Sequence, residues 1–218
     1  MPESSASEGI VGLYGLLASA ELVAFYRLSD DGKLAPTLAD KAALAGMAAA
    51  EFSHFDRIRG ELERLGADPG QAMAPFTGPL DAFHARTVPS DWLEGLVKAY
   101  VGDGMAADFY RAVAEVLDPG PRTLVLEVLA DTGHAQFAVD HVRAAIAADP
   151  KVAGRLALWA RRLVGEALSQ AQRVIADHPP LADLLVGDGA SQLGEMGRML
   201  AQLTDAHAHR MRALGLAD

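Results

Sequence analysis

The chain has 218 residues, half of them hydrophobic, with a formal net charge of −10 and no cysteine. That length suits one domain, and the abundance of alanine and leucine suits a helical core and not a disordered chain. Disulfide scaffolds, cysteine-ligated zinc and iron–sulfur clusters held by this chain are excluded. The acidic balance opposes a nonspecific grip on nucleic acid, which depends on Lys and Arg neutralising phosphates.

Residues 1–8 are mostly polar and have neither the basic start nor the apolar run of a signal peptide. No uninterrupted run of about 18 apolar residues occurs, so no membrane-spanning helix is expected. A cytoplasmic address follows as the expectation.

Five or six long helices are predicted. The first covers about Ser5 to Leu28, where apolar residues recur at helical spacing, and Asp30-Asp31-Gly32 and Pro36 end it and make the turn. The second runs from an N-capping Thr37 to Leu65, with Gly66 as its stop. Residues 66–90 hold Gly66, Pro69, Gly70, Pro75, Gly78, Pro79 and Pro89. They read as a long crossover with a short helix from about Pro79 to Ala85. Such a crossover lets helices two and three run parallel, as in ferritin-like bundles.

Ser90 or Asp91 caps a third helix reaching Leu117, and Asp118-Pro119-Gly120-Pro121 forms a hard turn. A fourth helix is predicted from there to about Ala148, a fifth over Lys151 to Asp177, and a sixth over Ser191 to Leu214. The fold class is therefore all-α: a ferritin-like four-helix bundle over about 8–148, with two extra C-terminal helices over about 151–214, in one domain spanning 1–218. Those last helices could serve a homodimer.

Two short motifs carry the chemistry. Glu51-Phe52-Ser53-His54 lies on helix two and Asp131-Thr132-Gly133-His134 on helix four. In each, a carboxylate and an imidazole at i and i+3 share one helical face. Dinuclear carboxylate proteins use this arrangement, with one more carboxylate from each of the other two helices. Antiparallel helices bring residues level when they are equidistant from the turn. Glu21 and Glu51 have midpoint (21 + 51)/2 = 36, at Pro36, and Asp103 and Asp131 have midpoint (103 + 131)/2 = 117, at the second turn. Glu21 lies in an apolar stretch with no salt-bridge partner at i±3 or i±4, which makes burial costly without a cation.

Glu21, Glu51, His54, Asp103, Asp131 and His134 are thus the candidate metal ligands. Oxygen and nitrogen donors without thiolate suit iron or manganese. Plainer readings stand beside this one: Glu21 as a solvated helix charge, Asp103 as a kink residue between Gly102 and Gly104, and Asp131 as a surface charge. Glu127 is a substitute ligand if the register differs, and Glu166 could approach from helix five. Asp205 and His209 share a face, with His207 pointing elsewhere, and read as a solvated helix end. His141, Tyr100 and Tyr110 are candidates to hydrogen-bond to the ligands. His84 and His178 have no assigned role.

The segments Leu16 to Leu28, Ala48 to Ile58, Leu96 to Tyr110 and Leu129 to Val142 resemble the ferritin-like, MiaE-type tRNA 2-methylthio-isopentenyladenosine hydroxylases, and more closely a MiaE-like branch of that family. The resemblance implies a di-iron monooxygenase whose ligands follow the pattern Glu, Glu-x-x-His, Glu, Glu-x-x-His. Glu21, Glu51, His54 and His134 match that pattern in kind. Asp103 and Asp131 depart from it, each one methylene short of the expected Glu, so the site could be dinuclear, mononuclear or vacant. The net charge disfavours tRNA, which leaves a small-molecule or nucleoside-like substrate as the expectation. The alternative is a non-catalytic ferritin-like metal-binding or interaction protein with a degenerate site.

Overall fold

The computed structural model describes residues 2–129, 134–186 and 192–216, and among them every regular element is a helix. The first hairpin is α1 (Pro2–Asp31) and α2 (Leu38–Arg64). Thr37 caps α2 by accepting from the Asp40 amide at 3.1 Å. Gly66, at φ 77, ends it in the left-handed conformation that glycine adopts most readily, and Ala67 N–H reaches back to Leu62 at 3.0 Å.

The crossover is an 18-residue helix, α3 (Pro69–Arg86), and not a loop with a short helix over 79–85. Asp68 caps it by accepting from Gln71 N–H at 2.8 Å, and Pro69 occupies the first turn, where its missing donor costs nothing. Pro75 and Pro79 lie inside the helix. Each removes a backbone bond, and the buried Phe76 with Leu80 and Phe83 offsets this by packing into the core. Backbone contact with α1 fixes the crossover. Ser19 Oγ donates to the carbonyls of Gly15 (2.8 Å) and Met73 (3.3 Å). A Cβ on Gly15 would lie 2.1 Å from the Ala72 carbonyl oxygen, so only glycine permits the approach.

The second half begins with α4 (Trp92–Ala114), capped by Asp91. The fourth bundle position is filled by two helices, α5 (Pro119–Val128) and α6 (His134–Ala148), where one was predicted. Leu129 leaves the helical conformation at φ −83, ψ 7, and residues 130–133 lie outside the described residues. Ion pairs fix the direction: Arg57 meets Glu127 of α5, and Asp40 meets His141 of α6 at 2.9 Å, so α5 and α6 run antiparallel to α2.

α1 is antiparallel to α4. Asp31 lies against Gly95, and Glu21 raises the pKa of Tyr110 through its field. Leu28, Leu44 and Ala48 pack with Trp92 and Ala99, so the start of α2 lies beside the start of α4 and the two are parallel. This is the ferritin-like topology expected from the crossover. α7 (Lys151–Asp177), α8 (Pro179–Val186) and α9 (Gln192–Leu214) pack onto it. Arg155 Nη1 bonds the buried Glu94, and Trp159 Nε1 donates to the Glu94 carbonyl at 2.9 Å, which binds α7 to α4.

α1 over Ser7–Asp31 is long and apolar enough to cross a bilayer, with a mean hydropathy of 1.6 in its best window. Interspersed Gly, Ser and the single Glu21 break the run without lowering the average enough. Half of that window is buried against the other helices, as in a bundle core.

Candidate metal centre

α1 presents Glu21, and the facing turn of α2 presents Glu51 and His54. His54 Nδ1 lies 3.4 Å from Glu21 Oε2 and 3.7 Å from Glu51 Oε2. One donor atom from each of the three residues falls within 4.8 Å of the other two. The matched spacing about Pro36 has this geometric consequence.

Glu21 is only 9% exposed, and its Oε2 has no hydrogen-bond partner despite its nearness to His54, because the two are not aligned to bond. A buried carboxylate oxygen left in this state is costly. Burial pushes the Glu21 carboxyl well above its usual range, and His54 opposes this less than burial imposes it. Glu21, then Glu51, pushes the His54 imidazole upward. The cluster therefore retains protons that a cation would displace. Two carboxylates and an imidazole, converging on an unsatisfied oxygen, form a donor set that fits iron or manganese.

The three residues line a cavity of about 340 Å³ together with Asp103, Tyr100 and Tyr110. Asp103 is on the wall but outside the three-residue donor cluster. Asp103 is exposed, and it lines both cavities between α1 and α4. Burial first, then the fields of Glu51 and Asp31, pushes its carboxyl well above the ordinary range. Tyr110 is raised by burial and then by Glu21, which keeps its hydroxyl protonated. Asp131 and the side chain of His134 lie outside the described residues.

The other candidates lie elsewhere. Glu127 pairs with Arg57, and Glu166 with Arg86 at 3.4 Å. His141 joins Asp40 and the Phe137 carbonyl, both at 2.9 Å, and so braces α6 against the start of α2. His178 lies against the Phe76 ring at 4.6 Å. Asp205 and His209 are exposed on α9.

Sequence reasoning missed Arg210. Its Nη1 donates to Asp108 at 2.6 Å, while Nε and Nη2 are buried without a partner on the cavity wall. Gly104 makes room for it, since a Cβ there would lie 2.6 Å from the Arg210 Cδ. The small residue beside Asp103 was the available signal, but nothing linked it to α9.

A family model described as "Ferritin-like domain, actinomycetes" matches residues 5–188. Among solved structures, one described as "Protein 19 with aldehyde deformylating oxidase activity from Synechococcus" matches with a TM-score of 0.74. The two are 19% identical, and the match covers 98% of this chain and 92% of that one. At that identity the likeness is one of fold. No curated protein matches the chain. The MiaE-type activity rests on the sequence motifs alone.

Proposed function

We propose that this chain, which belongs to the family of ferritin-like domains of actinomycetes, is a non-haem iron oxidoreductase acting on a small molecule in the cavity beside Glu21, Glu51 and His54. The observation that carries the reading is the buried, unpartnered Glu21 Oε2 within reach of Glu51 and His54. A metal ion would give this oxygen the directed partner that His54, near but not aligned to bond, does not. Iron, when bound, supplies dioxygen activation.

The chain's own residues set the conditions. Glu21 from α1 and Glu51 from α2 would hold the ion, and His54 would complete the set from one turn beyond Glu51. Ala20, Ala24 and Leu28 give the wall an apolar stretch. Tyr110 and Asp103 offer protonated oxygens to a substrate on the same wall. A second ion would draw on Asp103, Asp131 and His134. The aldehyde activity of the Synechococcus protein makes aldehydes the first substrates to try, and hydroxylation of a nucleoside-like molecule, as the MiaE-like motifs imply, the next.

The position of Asp103 outside the donor cluster favours a second reading, a metal-binding or interaction module without catalysis. Elemental analysis after purification, followed by oxygen uptake by the iron-loaded protein with a reductant and aldehydes, tests both. Bound iron with substrate-dependent uptake that Glu51→Ala removes is the expected result. Bound metal without uptake selects the second reading in its metal-binding form, and no affinity for iron or manganese refutes the oxidoreductase and leaves the interaction module.

A further inference from the structure

A second cavity, of about 250 Å³, lies between α1, α3, α4 and α7. It shares wall residues Ala20, Ala24, Asp103 and Tyr110 with the cavity of the candidate metal centre. Most of its lining is apolar, including Leu16, Leu80, Phe109 and Val174.

Polar side chains interrupt that lining, and among them Lys98, His84 and Gln170 are incompletely satisfied. Lys98 is 7% exposed. Its Nζ donates to the Thr87 carbonyl at 2.6 Å and lies 5.5 Å from the centre of the Phe83 ring, and no carboxylate among the described residues pairs with it. The buried Nδ1 of His84 has no partner. Gln170 is 5% exposed, and neither its amide nitrogen nor its amide oxygen is hydrogen-bonded.

The charges at this end are unbalanced. Lys98 and Arg27 carry positive charge, and Asp31 is the facing acid, its own carboxyl pushed up by burial. Burial lowers Lys98 to about 8, and burial with the fields of Lys98 and Arg27 lowers His84 to about 3. A cation buried without a counterion is destabilising, and a polar cavity wall without partners is likewise costly.

We infer that this second cavity is a binding site for an apolar chain ending in a carboxylate, the carboxylate held by Lys98 and His84 and the chain passing Gln170 toward Asp103. An anionic head supplies the direct ion pair that Asp31, which acts on Lys98 only through its field, does not make, and an aliphatic body fills the rest of the lining. The site stands independently of the metal centre, and its test needs no metal.

The test is calorimetric titration of the full chain, purified without added metal, with decanoate and decanol below their aggregation limits. The expected result is one decanoate per chain, bound at least tenfold more tightly than decanol. Lys98→Met should remove that preference and leave decanol affinity unchanged, which also reports a folded protein. If Lys98→Met fails to fold by circular dichroism, Gln170→Leu takes its place, with decanoate affinity expected to fall severalfold. Equal affinity for the two ligands, no saturable decanoate binding, or decanoate affinity unchanged in the folded variant would overturn the inference.

Discussion

Replacing Lys98 by Met removes a charge that the fold disfavours, and the effect has a defined pH dependence. Burial lowers the ammonium from 10.5 to about 8; Asp31 opposes that fall and Arg27 adds to it. The facing groups are Asp31 and Arg27 from α1, His84 and Phe83 from α3, and the Thr87 carbonyl. Between pH 8 and 10.5 the unfolded chain keeps a proton that the folded chain has released. Folded stability due to this group therefore rises with pH across that window, by about 1.4 kcal/mol per unit. Tyrosines limit the usable range to about pH 10, because Tyr14 and Tyr110 are held above their ordinary value by burial and their ionisation in the unfolded chain acts the other way. Two units then correspond to about 2–3 kcal/mol. Urea unfolding of wild type and Lys98→Met at pH 8, 9 and 10 measures it, and the difference between the two cancels the other titrating groups. The stability of wild type relative to the variant should climb by that amount. A difference that stays flat would mean that Lys98 is solvated and the reasoning wrong.

Gly15→Ala should destabilise by about 2–3 kcal/mol, because the Ala72 backbone cannot yield as a flexible side chain would. Gly12→Ala, whose Cβ would meet only Leu181 at 4.0 Å, should stabilise by about 0.5–1 kcal/mol, and urea unfolding ranks the two. Iron or manganese at about 100 times its dissociation constant should stabilise the wild type by about 2.7 kcal/mol in thermal melts. His54→Ala should lose that gain, while His134→Ala, paired with the shorter Asp131, should keep much of it. Glu94→Ala should cost about 2–3 kcal/mol by denaturant titration, since it strips Arg155, Ser90 N–H and Ser90 Oγ of a buried acceptor.

The bundle was legible in the sequence because its signals are local. Thr37 and Asp91 cap helices, Gly66 ends α2, and Pro36 marks the turn that sets Glu21 opposite Glu51. The crossover was misread because prolines normally break helices. Here packing of Phe76 and Phe83 outweighs two lost backbone bonds. The end of α5 at Leu129 follows an unbroken apolar pattern with no proline or glycine in its last turn to announce it. Glu21, Glu51 and His54 could be found by arithmetic because one hairpin holds all three. Arg210 and Gln170 could not, because their place depends on how α7 and α9 pack, and pairings at that sequence distance leave no periodic trace.

Helices α7 and α9 therefore do more than cover the bundle. Gln170 comes from α7 and Arg210 from α9, and each brings unpartnered polar atoms to a cavity wall. Glu21 and His84 do the same from α1 and α3. These four residues, from four helices, place their unsatisfied atoms around the same hollow between α1 and α4, where the two cavities share a wall. A scaffold optimised for stability alone would carry leucine or methionine there, since each orphaned polar group costs about 1–3 kcal/mol. The buried Glu94 and Ser19 side chains, by contrast, find hydrogen-bond partners. The stability cost is concentrated where a cation and an amphipathic ligand would relieve it, and that concentration ties the hollow core of the bundle to function.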